Sequence, residues 1–153
     1  MIRLLKWLVV GLSIVVLQPA TAGERGTPDE AIAMVKRAAA YVKEHGKDKA
    51  FAEFNNPKGQ FVDRDMYIFA FLANGDGIER ANGANIKLVG KYLLDLKDAD
   101  GKFMVREFFE VANGKGRGWV DYKWPNPVTK TIEAKSTYIE KVDDVILGCG
   151  IYK

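Results

Sequence analysis

Cysteine and histidine are almost missing from this sequence: one of each in 153 residues, Cys149 and His45. A single cysteine excludes an internal disulfide framework. One Cys with one His also leaves zinc ligation and Cys–His catalysis short of parts. Cys149 lies in the apolar run VILGCGIY, where a small buried hydrophobe is the expected role. His45 stands beside Gly46, where a polar or positive group suits a helix C-terminus, and no catalytic partner for it is evident. Blocks of like charge are absent as well. Lys and Arg total 23 against 20 Asp and Glu, and Arg3 and Lys6 in the first residues supply two of those positives. Nucleic-acid binding therefore has no support. A mild basic bias is compatible with an anionic small ligand. No internal repeat and no low-complexity tract is visible.

Long hydrophobic runs are also lacking, with one exception at the start. Trp7 to Leu17 is uncharged and apolar, follows the basic Arg3 and Lys6, and precedes Pro19 and the small residues Ala20-Thr21-Ala22. That is the pattern of a secretory signal peptide, residues 1–22, cleaved before Gly23. The run is short for a membrane span, which needs about 20 residues, so an uncleaved anchor is the lesser alternative. The expected location is periplasmic. About 130 residues remain, enough for one modest core, read here as a single domain over 23–153.

Thr27-Pro28-Asp29-Glu30 is a helix start, with Thr27 as cap, Pro28 at the first position and Glu30 completing a capping box. Ala31, Met34, Val35, Ala38, Tyr41 and Val42 then recur at helical spacing up to Gly46, and a short helix follows over Lys47 to Phe54. Met66 to Ala73 is almost wholly apolar and predicts a buried central strand. Asn74-Gly75-Asp76-Gly77 turns into a short strand ending near Asn82-Gly83. Residues 84–100 read as loop and short helix, and Phe103 to Ala112 as an amphipathic helix. Strands follow at 117–124, 132–142 and 145–152. Tight connections imply antiparallel pairing. The expected fold class is α+β: a long N-terminal helix on a five-stranded antiparallel sheet, with short covering helices.

Chemical motifs are weak. Asp98-Ala99-Asp100-Gly101 resembles part of a calcium loop, with Glu107 at the twelfth position, but Leu96 stands where the first ligand belongs. A loop in which Asp100 caps the following helix is the simpler expectation. Gly114-Lys115-Gly116-Arg117-Gly118 lacks the GK[ST] step of a phosphate loop and suits a helix end instead. The carboxylate pairs Asp63/Asp65 and Asp143/Asp144 fall in expected turns. No nucleophile, base and orienting group can be assembled, so an enzyme is not expected, and no cofactor or metal is implied.

The hairpin from Trp119 to Val142 is more informative, because its first arm carries aromatics on both faces: Trp119 on one, Tyr122 and Trp124 on the other. Gly148 and Gly150 share a face of the last strand, leaving room for the N-terminal helix or a ligand to approach. With the helix on one sheet face and residues 82–118 over the other, both faces would be partly buried. A cavity on the loop side would have aromatic walls and a few donors, namely Tyr122, Tyr138, Trp124 and Lys135, a set suited to a carboxylate. Aromatics serving only as core, with Lys135 reaching out to water, explain the same pattern. Strict alternation puts Lys135 and Tyr138 on opposite faces, so a shared site needs a bulge or an edge approach.

The runs FNNPKGQFVDRDMYIFAF, ANIKLVGKYLLDLKDADGK, GWVDYKWPNPVTKTIEAKSTYIEKV and the closing GCGIYK resemble the single Cache domain family of the second type, across nearly all of residues 23–153. The resemblance implies a PAS-like extracytoplasmic sensor fold with a ligand pocket on one face of the sheet. Many members belong to chemoreceptors, kinases or cyclases, and several bind small carboxylates. By position it implies a pocket of Tyr67, Phe69, Tyr122, Trp124, Lys135 and Tyr138. Many members carry a His-Pro step after the second strand, where this sequence has Ala81-Asn82-Gly83. The sequence stops at Lys153, straight after the last expected strand. The resulting expectation is a periplasmic binding domain for a small organic acid, without its own output domain, passing occupancy to a separate membrane receptor or kinase. Pairing of two copies through the N-terminal helix is possible for such a domain. The alternative is a ligand-free interaction module of the same fold.

Overall fold

The computed structural model describes residues 25–153; the expected signal segment and its cleavage position lie outside them. Helix α1 spans Pro28–His45 and α2 spans Lys47–Phe54. The strands are β1 (Val62–Asp63), β2 (Met66–Leu72), β3 (Glu79–Asn82), β4 (Arg117–Pro125), β5 (Ile132–Val142) and β6 (Val145–Tyr152), with α3 (Met104–Gly114) between β3 and β4. A single 3-10 turn, Ile86–Leu88, interrupts the long segment before α3.

Local chemistry explains the helix ends. The Thr27 side chain accepts from the Glu30 backbone and the Glu30 carboxylate accepts from the Thr27 backbone, the reciprocal box expected from the sequence; such a cap contributes ~1 kcal/mol. Ala31, Met34, Val35, Ala38 and Val42 form the buried stripe of α1. Helix α3 departs from expectation at its start. It is capped at Phe103 with no side-chain bond. Asp100 pairs instead with Lys123 at 3.0 Å. Asp98 accepts from the backbones of Asp100, Lys102 and Lys123. Burial opposes its ionisation, but those three donors hold the Asp98 carboxyl below its usual range. The loop that looked like part of a calcium site is thus a carboxylate spent on local backbone.

All pairings in the sheet are antiparallel, in the order β1-β2-β6-β5-β4. β3 also pairs with β2, farther along the same strand, so the sheet has six strands and not five. The extra strand, β1, is two residues long, too short to show any period. β5 keeps an unbroken register with β4 from Ile132 to Glu140 and with β6 from Lys135 to Val142, with no bulge.

Two cores result, one per sheet face. α1 and α2 close the first, over Met66, Ile68, Ala70, Val145, Leu147, Cys149 and Ile151. Burial raises the Cys149 thiol to about 12, and its Sγ lies 3.7 Å from Met34 Sδ, as befits an inert core residue. α3 and the segment before it close the second, over Tyr67, Phe69, Phe71, Val120, Tyr122 and Ile146. Strand β4 has one covered face only. Val120 and Tyr122 are buried, while Asp121 and Lys123 on the other side are exposed. Both faces of this arm were expected to be partly covered; α1 packs on β2, β5 and β6 and stops short of the β4 edge. Trp119 remains 38% exposed and rests sideways against Tyr138, ring centroids 5.5 Å apart.

Candidate functional site

The second core is incompletely filled. Between the sheet and its cover lies a narrow cleft, open at one side. Its floor is Tyr67, Phe69 and Phe71 of β2 with Tyr122 and Trp124 of β4, and its cover includes Leu88, Leu93, Met104, Val105 and Phe108. Glu79 and Asn82 of β3 provide the polar edge. The aromatic walls brace one another: Phe69 to Phe108 at 5.3 Å, Phe108 to Tyr122 at 5.4 Å, Tyr122 to Trp124 at 6.1 Å between centroids.

Lys135 lies directly behind this floor, 1% exposed. Its Nζ donates to the Tyr67 hydroxyl at 2.9 Å, and sits 4.2 Å from the Tyr67 ring, 5.0 Å from Tyr152 and 5.9 Å from Tyr122. The aromatic faces attract the cation, but burial dominates and pulls the ammonium down to about 7. The side chain does not reach out to water. It runs across β6 at Gly150, where an added Cβ would stand 2.1 Å from Lys135 Cε. Gly148 likewise lies under the Phe69 ring, 2.2 Å from where its Cβ would be. The space left by these glycines is filled by neither α1 nor an open cavity, but by two side chains of the site.

Five of the six residues named from the sequence come together: Tyr67, Phe69, Tyr122 and Trp124 line the cleft, with Lys135 behind them. Tyr138 does not join them. With β5 unbroken, it faces the α1 core, and its hydroxyl donates to Glu140 at 2.7 Å. Tyr122 is also less free than the sequence suggested, because its hydroxyl is bonded to Thr137 at 2.9 Å. Burial raises the Tyr67 and Tyr122 hydroxyls well above the usual phenol range, so both are neutral.

Sequence reading missed Glu79 and Asn82. Asn82 Oδ1 accepts from the Ala84 and Asn85 backbones, which fixes the amide and aims its Nδ2 at Glu79 Oε1, 3.0 Å away. Glu79 is 3% exposed, and its Oε2 has no partner among the described residues. Burial raises this carboxyl to about 7, against the bond from Asn82 and the Lys135 charge. The signal was present as a charged residue in a short strand beside the central one, but nothing local showed that it points inward. Among the described residues no cluster of His, Cys, Asp and Glu is arranged to hold a metal, and no helix is long and apolar enough to cross a membrane.

Known proteins share this architecture. The methyl-accepting chemotaxis protein McpP of Pseudomonas putida is 35% identical over 71 residues, 45% of this chain and 13% of that protein. The chain therefore spans a small fraction of that relative's length. A crystal structure of a methyl-accepting chemotaxis protein from Vibrio parahaemolyticus superposes with a TM-score of 0.68 at 25% identity, covering 81% of this chain and 86% of the other. A Cache chemosensory domain described in terms of carboxylic acid recognition superposes at 0.62 with 23% identity, over 78% and 84% of the two chains. The latter likeness shows the fold alone. The family profile described as Single Cache domain 2 matches residues 20–153. The chain belongs to the single Cache domain 2 family.

Proposed function

We propose that this protein is an exported, periplasmic sensor-type domain that binds a small organic acid in the cleft beneath α3. Residues 1–22 serve as its leader. The observation that carries the reading is the buried amino group of Lys135, bonded among the described residues to Tyr67 alone, behind an aromatic floor. A cation held at such depth is incompletely compensated, and an arriving carboxylate supplies the missing charge. Tyr67 hands the donor outward, and the Trp124 indole adds another at the wall. The cleft is narrow as it stands, so a small acid enters by displacing part of its cover.

Occupancy acts by selecting one arrangement of the cover, and a separate membrane receptor or kinase reads it. The link is short. The Glu79 backbone exchanges bonds with Gly90 and Lys91, and the Gly77 carbonyl accepts from Leu93, so β3 and the cover move together.

Thermal unfolding of the purified protein against a panel of short carboxylates, amino acids and amines tests this. A carboxylate at 100 times its dissociation constant adds ~2.7 kcal/mol, a shift of several degrees. Lys135→Met is expected to fold and lose the shift, while Tyr138→Phe keeps it in full. A panel in which no carboxylate moves the midpoint sinks the reading and leaves a ligand-free interaction module.

A further inference from the structure

Glu79 places an acceptor inside a cleft whose other polar groups are donors. Its Oε1 is fixed by Asn82 Nδ2 at 3.0 Å, and that amide cannot turn over, because its Oδ1 already accepts from two backbone N–H groups. The second oxygen, Oε2, therefore has a defined position at the cleft edge, is buried, and has no partner among the described residues. A buried acceptor left without a donor is costly, so a ligand that brings one gains what the protein itself leaves unmade. A plain alkyl acid brings none. A 2-oxo acid brings another acceptor, which faces Glu79 unfavourably.

We propose that Glu79 is a specificity-determining residue, selecting short acids that carry a hydrogen-bond donor, a hydroxyl or an ammonium, on the carbon next to the carboxylate. This rests on the acid-binding reading above. The ligand lies with its carboxylate toward Tyr67, Trp124 and Lys135, its substituent toward Glu79 Oε2, and its alkyl end against Phe71, Met104 and Val105. The zwitterionic and hydroxylated forms share this chemistry and differ in charge: an ammonium neutralises Glu79, a hydroxyl only bonds to it.

Four probes of nearly equal size separate the cases: propionate, pyruvate, lactate and alanine, titrated calorimetrically at pH 8, where the Glu79 carboxylate is mostly ionised. The wild-type protein should bind lactate or alanine about tenfold or more tightly than pyruvate or propionate, the range expected for leaving one buried group unpaired. Whichever of the two donors is preferred identifies the class. Glu79→Gln keeps the shape and the bond from Asn82 but turns the free acceptor into a donor. It should reverse the order, so that pyruvate now binds better than lactate. A role limited to holding β3 in place would weaken all four probes together. Equal binding of all four to the wild type, or an unchanged order in Glu79→Gln, overturns the role of Glu79 while acid binding stands. Failure of all four overturns both. The wild-type order needs no variant, so the test survives even if Glu79→Gln misfolds.

Discussion

Two residues of opposite sign, Glu79 and Lys135, are buried on the same side of one small sheet, and both titrate near 7 because burial penalises their charged forms. The consequences for stability have opposite signs. Glu79 is raised, so the folded state holds a proton that the unfolded chain releases, and stability falls as pH rises from the ordinary carboxylate range toward about 7. Lys135 is lowered, so the folded state releases a proton that the unfolded chain keeps, and stability falls as pH drops from the ordinary lysine range toward about 7. The pair thus cuts a trough near neutral pH, its arms worth at most ~3 kcal/mol for Glu79 and ~5 kcal/mol for Lys135. Urea unfolding from pH 5 to 10 should show Glu79→Gln removing the acid-side decline and Lys135→Met removing the alkaline-side rise. Flat difference profiles would mean that neither group is desolvated as the structure has it. The same logic gives ligand binding a proton signature. A carboxylate beside Lys135 favours the ammonium, so binding at pH 8 takes up protons, seen as a dependence of calorimetric heat on buffer ionisation enthalpy.

At the scale of elements, the site depends on close approach between strands. β5 delivers Lys135, β2 delivers Tyr67, and β6 runs between them with glycine at the crossing point. Gly150→Ala sets a methyl 2.1 Å from Lys135 Cε and 2.5 Å from Thr137 Oγ1. The strain of such overpacking is ~1–3 kcal/mol. Lys135 must leave Tyr67 to relieve it, so acid binding should fall along with the unfolding midpoint. Gly148→Ala meets the Phe69 ring in the same way. Gly114, at the end of α3, is the contrast: an added Cβ there finds nothing within 4 Å and the backbone needs no left-handed conformation. Gly114→Ala should therefore be neutral or stabilising by up to ~1 kcal/mol. A result in which all three alanines behave alike would contradict the packing described for β6.

For the whole molecule, the division into two cores separates a rigid half from a responsive one. The α1 core is closed by a capped 18-residue helix over apolar strands. The other half is closed by α3 and the segment before it, which is held to β3 mainly by backbone bonds. Such a cover has low local stability. Ligand should slow amide exchange across residues 84–102 while leaving α1 nearly unchanged, as hydrogen-exchange mass spectrometry would report; uniform protection would point to global stabilisation alone. Lys36, Arg37, Lys43 and Glu44 of α1 are exposed. If two copies pair through this helix, these net-positive faces repel each other, so the association strengthens as salt is raised, which sedimentation at two ionic strengths measures.

Helix α1, its cap, the burial of the MYIFAF strand and the final β5–β6 hairpin were legible residue by residue, because capping, apolar period and turn chemistry act over a few positions. The aromatic floor was legible as composition: Tyr67, Phe69, Tyr122 and Trp124 meet where the alternation put them. The opposition of Lys135 and Tyr138 was also written in the period of two, and the unbroken register of β5 keeps them apart. Distance and burial were not legible. That Lys135 turns inward across Gly150, that Glu79 faces the cleft with one oxygen unpartnered, and that β4 lies beyond the reach of α1 all depend on which strands become neighbours. Sequence sets the order and face of each side chain along its own strand. Only long-range pairing sets what lies opposite, how dry the space between becomes, and therefore which charges are left for a ligand to complete.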